Sequence, residues 1–377
     1  MTYQDLVKPA VLAQPTYVPG RPIQDVARQF GLDPETVFKL ASNENPLGPS
    51  PKAVEAAIEA MKLAHLYPDG GAVLLREKLA EVHELSPEQF IVGTGSNEVM
   101  MLLTQAFAGP GDEVIYGQYA FLAYKLATML YEATPVELPM PDLSHNLAAM
   151  ADAVTEKTRI IFLPSPNNPT GTANNADEIL AFARDLPEHV IFCFDEAYVH
   201  YLDNPPDLRP LIAEGRKVFC MRTFSKIYGL ASFRIGYGYG SEEVVALLNQ
   251  IRQPFNCNGI AQAAALAALD DHDFVARSKA VNRAGLGQLR EGFARLGLKS
   301  PPSTANFVLL EVEKSQEIFD LLQRRGIIVR PLHGYGLSDY LRITVGTEAD
   351  NTRLLNTLEA MLAGPEAAML KGELVQG

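Results

Sequence analysis

The sequence predicts an α/β protein, a large domain with a mostly parallel sheet between helices followed by a smaller α+β domain, and three observations carry that prediction. The runs 113–116, 159–163, 190–194 and 218–221 are apolar nearly throughout and alternate with helical stretches such as 176–184. Strands covered on both faces read as continuous apolar runs, and alternation with helices is the mark of a parallel sheet. Polar clusters come after three of these runs: Asn167-Asn168-Pro169-Thr170-Gly171, Asp195-Glu196-Ala197-Tyr198 and Thr223-Phe224-Ser225-Lys226. They stand at the carboxyl ends of strands, where such sheets hold ligands.

The elements follow in order. An arm, 1–40, is expected to pack with the smaller domain; prolines 15, 19 and 22 keep part of it extended, and a short helix is expected around 23–30. The large domain is expected to span 41–270. Ser50 reads as an N-cap before Pro51 at the first helical position, with Val54, Ala57, Ile58 and Met61 recurring on one face. A strand at 90–92 runs into Gly93-Thr94-Gly95-Ser96-Asn97-Glu98, and a helix follows with Val99, Leu102, Leu103 and Ala106 on one face. Strand, glycine turn and helix start make an anion site or a plain tight connection, and spacing alone leaves both open. The glycines complete neither G-x-G-x-x-G nor a P-loop, which argues against nicotinamide and nucleoside triphosphate cofactors. The smaller domain, 271–377, is expected to hold a helix over 284–296, strands at 306–310, 327–329 and 340–345, and a final helix. Asp271-His272-Asp273 reads as a solvated turn, and no metal site is expected.

Composition bounds the function. The chain has 377 residues, 47% of them hydrophobic, enough for a large core, and a net charge of −13 that argues against nucleic acid or an anionic membrane as partner. Cys193, Cys220 and Cys257 form no C-x-x-C pair and read as buried reduced thiols; the first residues lack a signal-peptide pattern, and a cytoplasmic location is expected. Lys226 lies in a mostly apolar, glycine-punctuated segment, eight residues before Arg234. Desolvation favours a neutral amine, which can form a Schiff base with an aldehyde.

Together these residues resemble the fold type I pyridoxal-phosphate aminotransferases, and within them the histidinol-phosphate aminotransferase family. The motifs are Ala41-Ser42-Asn43-Glu44-Asn45-Pro46, Tyr67-Pro68-Asp69-Gly70, Pro166 to Gly171, Asp195 to Tyr198, the Lys226 segment, and Leu341-Arg342-Ile343-Thr344-Val345-Gly346-Thr347. The resemblance implies pyridoxal 5′-phosphate as cofactor, with Lys226 as Schiff-base and proton-transfer lysine, Asp195 at the pyridine nitrogen, and Asn168 and Tyr198 at the ring 3-oxygen. Phe121 would stack on the ring, and Gly95, Ser96, Asn97, Thr223, Ser225 and Arg234 would hold the phosphate. Tyr67 would reach the phosphate of the neighbouring subunit, which makes the protein a homodimer with shared active sites. Tyr17, Asn43, Asn168, Arg330 and Arg342 would bind substrate, and the Asn168-Pro169 bond would be cis. The implied reaction takes histidinol phosphate and 2-oxoglutarate to imidazole-acetol phosphate and glutamate, a step of histidine biosynthesis. An aromatic amino-acid aminotransferase on the same scaffold is the alternative, and a non-catalytic regulatory protein that keeps the cofactor is a third reading.

Overall fold

A computed structural model describes residues 1–16 and 20–371. Among them twelve strands follow in chain order: β1 (Phe38–Lys39), β2 (Phe90–Gly93), β3 (Glu113–Gly117), β4 (Thr134–Leu138), β5 (Thr158–Pro164), β6 (Ile191–Asp195), β7 (Val218–Thr223), β8 (Gly236–Tyr239), β9 (Phe307–Glu311), β10 (Ile327–Ile328), β11 (Arg330–Leu332) and β12 (Leu337–Thr344). The chain forms two compact units. One holds Met1–Thr16, Pro49–Asn167 and Ala173–Val275; the other holds Tyr17–Gly48, Asn168–Thr172 and Ala276–Gly377.

The first unit is built on a seven-stranded sheet of order β2-β8-β7-β6-β5-β3-β4. The inner strands β3, β5, β6 and β7 run parallel, as their apolar runs predict, and β8 runs antiparallel between β2 and β7. One strand of this sheet departs from expectation. β4 carries Pro135 and was not predicted, and it lies at the sheet edge, where a residue without a backbone N–H is tolerated. β8 is Gly-Tyr-Gly-Tyr because neighbours press on it: a Cβ on Gly238 would stand 2.4 Å from the Phe219 ring. Apolar clusters cover both faces of the sheet, one around Phe162, Cys193, Phe219 and Met221, the other around Phe192, Phe194, Cys220 and Tyr237. All three cysteines are free and buried.

The Pro51–Met61 helix starts as predicted, with the Ser50 side chain accepting from the Ala53 N–H. Its buried face is Ala53 and Ala57, however, while Ile58 and Met61 of the expected apolar stripe are more than half exposed. On the Ser96–Phe107 helix Val99, Leu102 and Leu103 are buried as expected, but Ala106 is exposed and Met100 and Thr104 take the remaining inner positions. Asp271 is not part of a solvated turn: it is buried, and its carboxylate accepts the Ser50 hydroxyl at 2.6 Å and the Phe274 N–H at 3.4 Å. It lies just before the His272–Arg295 helix, which begins twelve residues ahead of the predicted 284. The charged and polar residues scattered from His272 to Arg283 hid its start from an apolar-periodicity reading.

The second unit holds a three-stranded sheet, β11-β12-β9, and the parallel pair β1-β10. Its core gathers Leu289, Phe293, Leu310, Ile318, Ile343 and Leu358 from strands and helices. The predicted 327–329 strand ends at Ile328 as β10, and β11, which the sequence reading did not separate, starts at Arg330 and belongs to the other sheet.

Candidate active site

The residues named from the sequence form two groups, one in each unit. In the first unit, β2 leads into Gly95 (φ +82°), the N-cap of the Ser96–Phe107 helix. The N–H groups of that helix's first turn, Ser96 and Asn97 among them, have no intrahelical acceptor, and the helix dipole adds positive potential there. Glu98 steadies the turn by accepting the N–H and hydroxyl of Thr94 at 2.6 and 2.9 Å. Thr223 ends β7; its hydroxyl donates to Ser225 Oγ at 3.0 Å and accepts the Ser225 N–H at 3.1 Å. Arg234, itself at φ +54°, donates to Ser225 Oγ and to the Thr94 carbonyl, both at 3.4 Å. Two glycines make this convergence sterically feasible: a Cβ on Gly95 would lie 2.6 Å from Arg234 Nη2, and one on Gly236 would lie 2.4 Å from the Ser96 nitrogen. Helix N–H groups, two hydroxyls and a guanidinium form a donor set suited to a phosphate dianion.

Asp195 ends β6 and is buried. Its Oδ2 accepts the Tyr124 phenol at 2.6 Å and its Oδ1 accepts the Ala197 N–H at 3.0 Å. Burial raises its pKa; the two hydrogen bonds and the Lys226 charge oppose the rise, and the Glu196 charge adds to it. A buried carboxylate met by neutral donors keeps an unspent negative charge for a cation brought beside it. Lys226 Nζ stands 5.5 Å from the ring centroid of buried Tyr198. Around the lysine Phe224, Ile227 and Leu230 are fully buried, which makes the apolar setting read from the sequence.

Tyr124 was missed by sequence reasoning. It lies three residues after Phe121, whose ring meets it edge-on at 6.0 Å, and it stacks on Phe162 at 4.6 Å. The aromatic spacing was visible, but aromatic pairs at helical spacing usually mark core, and Tyr124 is core except for its hydroxyl. Tyr67 is held at the surface, 84% exposed and stacked on Phe255 at 4.9 Å.

In the second unit, Asn168 and Arg342 meet. The Asn168-Pro169 bond is cis as expected, and so is Ser165-Pro166. Arg342 is buried; Nη1 donates to Asn168 Oδ1, Nη2 donates to the Ala41 carbonyl at 2.6 Å, and the guanidinium lies 5.3 Å from the Phe307 ring. By occupying the amide oxygen, Arg342 sets which way the Asn168 NH₂ points. Arg330 on β11 is the register partner of Arg342 on β12, so both side chains leave the same face of the sheet. Asn43 (φ +56°) is buried, its N–H donating to Thr344 Oγ1 at 2.9 Å and its Oδ1 accepting the Thr344 hydroxyl at 3.2 Å. Tyr17 lies outside the described residues.

The model of the family described as aminotransferase class I and II matches residues 35–358. The chain belongs to the class I and II aminotransferases. Within them it falls in the histidinol-phosphate aminotransferase family: it is 44% identical over 363 residues to the histidinol-phosphate aminotransferase of Akkermansia muciniphila, covering 96% of this chain and 100% of the relative. It is 45% identical to that of Methylobacillus flagellatus, covering 92% of this chain and 94% of the relative. Among solved structures, the histidinol-phosphate aminotransferase of Sinorhizobium meliloti in complex with pyridoxal 5′-phosphate matches with a TM-score of 0.85 and 26% identity, covering 95% of this chain and 97% of that one. An aspartate aminotransferase double mutant of Thermus thermophilus matches with a TM-score of 0.81 and 26% identity over 94% of this chain and 99% of that one. As an aminotransferase, the chain acts on small-molecule amino compounds and 2-oxo acids. Among the described residues no helix is long and apolar enough to cross a membrane.

Proposed function

We propose that this aminotransferase uses pyridoxal 5′-phosphate to move the amino group of histidinol phosphate to 2-oxoglutarate, giving imidazole-acetol phosphate and glutamate in histidine biosynthesis. The observation that carries the cofactor reading is the donor cradle of Gly95, Ser96, Thr223, Ser225 and Arg234 in the same unit as Lys226 and the buried Asp195. The substrate reading rests on the 42–45% identity to relatives named for histidinol phosphate.

When bound, the cofactor supplies an aldehyde for the amines to condense with and a pyridinium ring that accepts the electron pair left at the substrate α-carbon. The remaining tasks fall to the chain. Lys226 Nζ would hold the cofactor aldehyde and, as a free amine, would move the proton at the substrate α-carbon as general base. Asp195 would accept a hydrogen bond from the protonated pyridine nitrogen and hold the proton there by charge. Tyr198 and Asn168 would donate to the ring 3-oxygen, Phe121 would pack on the ring, and the Ser96 and Asn97 N–H groups with Thr223, Ser225 and Arg234 would hold the phosphate. Arg342 grips the substrate's anionic head, the phosphate ester of one donor or the α-carboxylate of the other, because a fork of N–H donors fits either oxyanion. Arg330 is the second cation, adding to the phosphate contact in one half-reaction and taking glutamate's distal carboxylate in the other. Asn43 would also contact the substrate, as would Tyr17, which lies outside the described residues.

The protein acts as a cytoplasmic homodimer whose first unit is the large cofactor-binding domain and whose second is the smaller domain. Exposed Ile58, Met61, Leu63, Leu66, Tyr67 and Leu74 support the dimer, since so many large apolar side chains clustered in one stretch call for a cover. Tyr67 would then serve the partner's phosphate.

The test compares amino donors. Histidinol phosphate should exceed phenylalanine in kcat/KM, and Arg330→Ala should lower kcat/KM for histidinol phosphate and glutamate by about 1.5–3 kcal/mol each while hurting phenylalanine much less. Phenylalanine as the better donor, with all donors equally affected by Arg330→Ala, would overturn the substrate assignment in favour of an aromatic aminotransferase.

A further inference from the structure

Asp195 and Thr223, which carry the acid and part of the phosphate cradle, each have a charged neighbour facing the other side of the sheet. Successive residues of a strand point to opposite faces, so Glu196 and Arg222 meet beneath the site. Arg222 Nε donates to Glu196 Oε2 at 2.8 Å and Nη2 to Oε1 at 3.0 Å, a two-pronged pair; Tyr239 donates its hydroxyl to Oε2 at 2.7 Å, and its ring lies 6.0 Å from the guanidinium. Glu196 is 1% exposed. The three residues stand on or just beyond three neighbouring strands, β6, β7 and β8. Those strands also carry Asp195, Thr223 and Gly236, the glycine packed against the Ser96 nitrogen. The last rung between β6 and β7, from the Glu196 N–H to the Met221 carbonyl at 2.8 Å, lies between the clamp and the site.

We propose that Glu196, Arg222 and Tyr239 are positioning residues, a clamp that fixes the separation of Asp195 from the phosphate cradle; this rests on the cofactor function proposed above. An ion pair on a buried carboxylate, here Glu196 at 1% exposure with Arg222 at 20%, is a poor device for stability, because well-packed apolar residues of similar volume often serve as well or better. What an apolar pair cannot do is fix two strand ends in one direction-dependent geometry, and a displacement near 1 Å at a reacting group costs about 10²-fold in rate.

The experiment compares wild type with the double variant Glu196→Leu/Arg222→Leu and with the conservative Arg222→Lys and Tyr239→Phe. Wild type that fails to bind pyridoxal 5′-phosphate at Lys226 would defeat the cofactor reading itself. With wild type active, the double variant is expected to melt near the wild-type temperature yet to bind the cofactor about 10-fold more weakly and turn over about 10²-fold more slowly. In the cofactor-free protein, its Glu196 amide is expected to exchange hydrogen faster. Wild-type cofactor affinity in a folded double variant overturns the proposal. Should the double variant not fold, Arg222→Lys and Tyr239→Phe decide: weaker cofactor binding at unchanged melting temperature supports the clamp, and unchanged binding in both overturns it.

Discussion

The two faces of the central sheet treat neighbouring carboxylates in opposite ways. Asp195 meets a phenol and a backbone N–H, neutral donors that orient it without spending its charge. Glu196, the next residue, meets the forked guanidinium of Arg222 and is fully answered. One buried acid is touched by neutral donors, with the Lys226 charge acting on it only from a distance, and the other is held by a cation in contact. The difference teaches how burial can be read: charge paired within the chain holds structure together, and charge left unpaired in a buried place waits for a partner from outside.

The sharpest way to break this contrast is Asp195→Asn, which keeps shape and removes charge. Turnover should fall by about 10³-fold or more, while borohydride reduction followed by intact mass still finds the cofactor attached to Lys226. The cofactor-free variant should melt higher than wild type at pH 7. The sign follows from the raised pKa: the folded chain holds a proton on Asp195 more readily than the unfolded chain, so stability declines as pH rises from the ordinary value of 3.8 through the raised one. The gap should therefore close as the pH approaches 4. On the opposite face, Arg222→Leu alone strands Glu196 without its cation and should cost about 3–5 kcal/mol in chemical denaturation, a stability loss with the cofactor absent. The smallest change, Tyr124→Phe, removes one hydroxyl from Asp195; about 1.5–3 kcal/mol is the usual weight of a hydrogen bond to a charged group, and it should appear as slower turnover and weaker cofactor binding with Lys226 attachment retained. Equal effects of Tyr124→Phe on turnover and on cofactor-free stability would erase the contrast between the faces.

The parallel core of the sheet was legible because strands buried on both sides leave no room for polar residues, and the site motifs were legible because they stand where those strands end. Legibility failed where one residue serves two purposes. Tyr124 looks like core because most of its surface is core. Glu196 was read as part of the Asp195 motif, and its arginine partner is 26 residues away in sequence, a distance that no local pattern reports. β4 was obscured by a proline acceptable only at an edge, and the helix starting at His272 by charged and polar residues scattered through its first turns, its preceding Asp271 held by Ser50. The apolar stripe of the Pro51–Met61 helix is legible, but a sequence does not say whether an apolar face meets its own core or something else, and Ile58 and Met61 are exposed.

The cysteines give the chain a chemical clock. Cys193 and Cys220 are fully buried on adjacent strands at the middle of the sheet, and burial pushes both thiols well above their ordinary pKa. Cys257 lies in the turn before the Gly259–Leu269 helix, with its thiol pushed up to about 12. A thiol reagent therefore finds almost nothing to react with in the intact chain and three groups in the unfolded one. Consumption of the reagent should run in two stages, one group released by local fraying of a turn and two only when β6 and β7 part, so that the slow stage times the opening of the sheet itself.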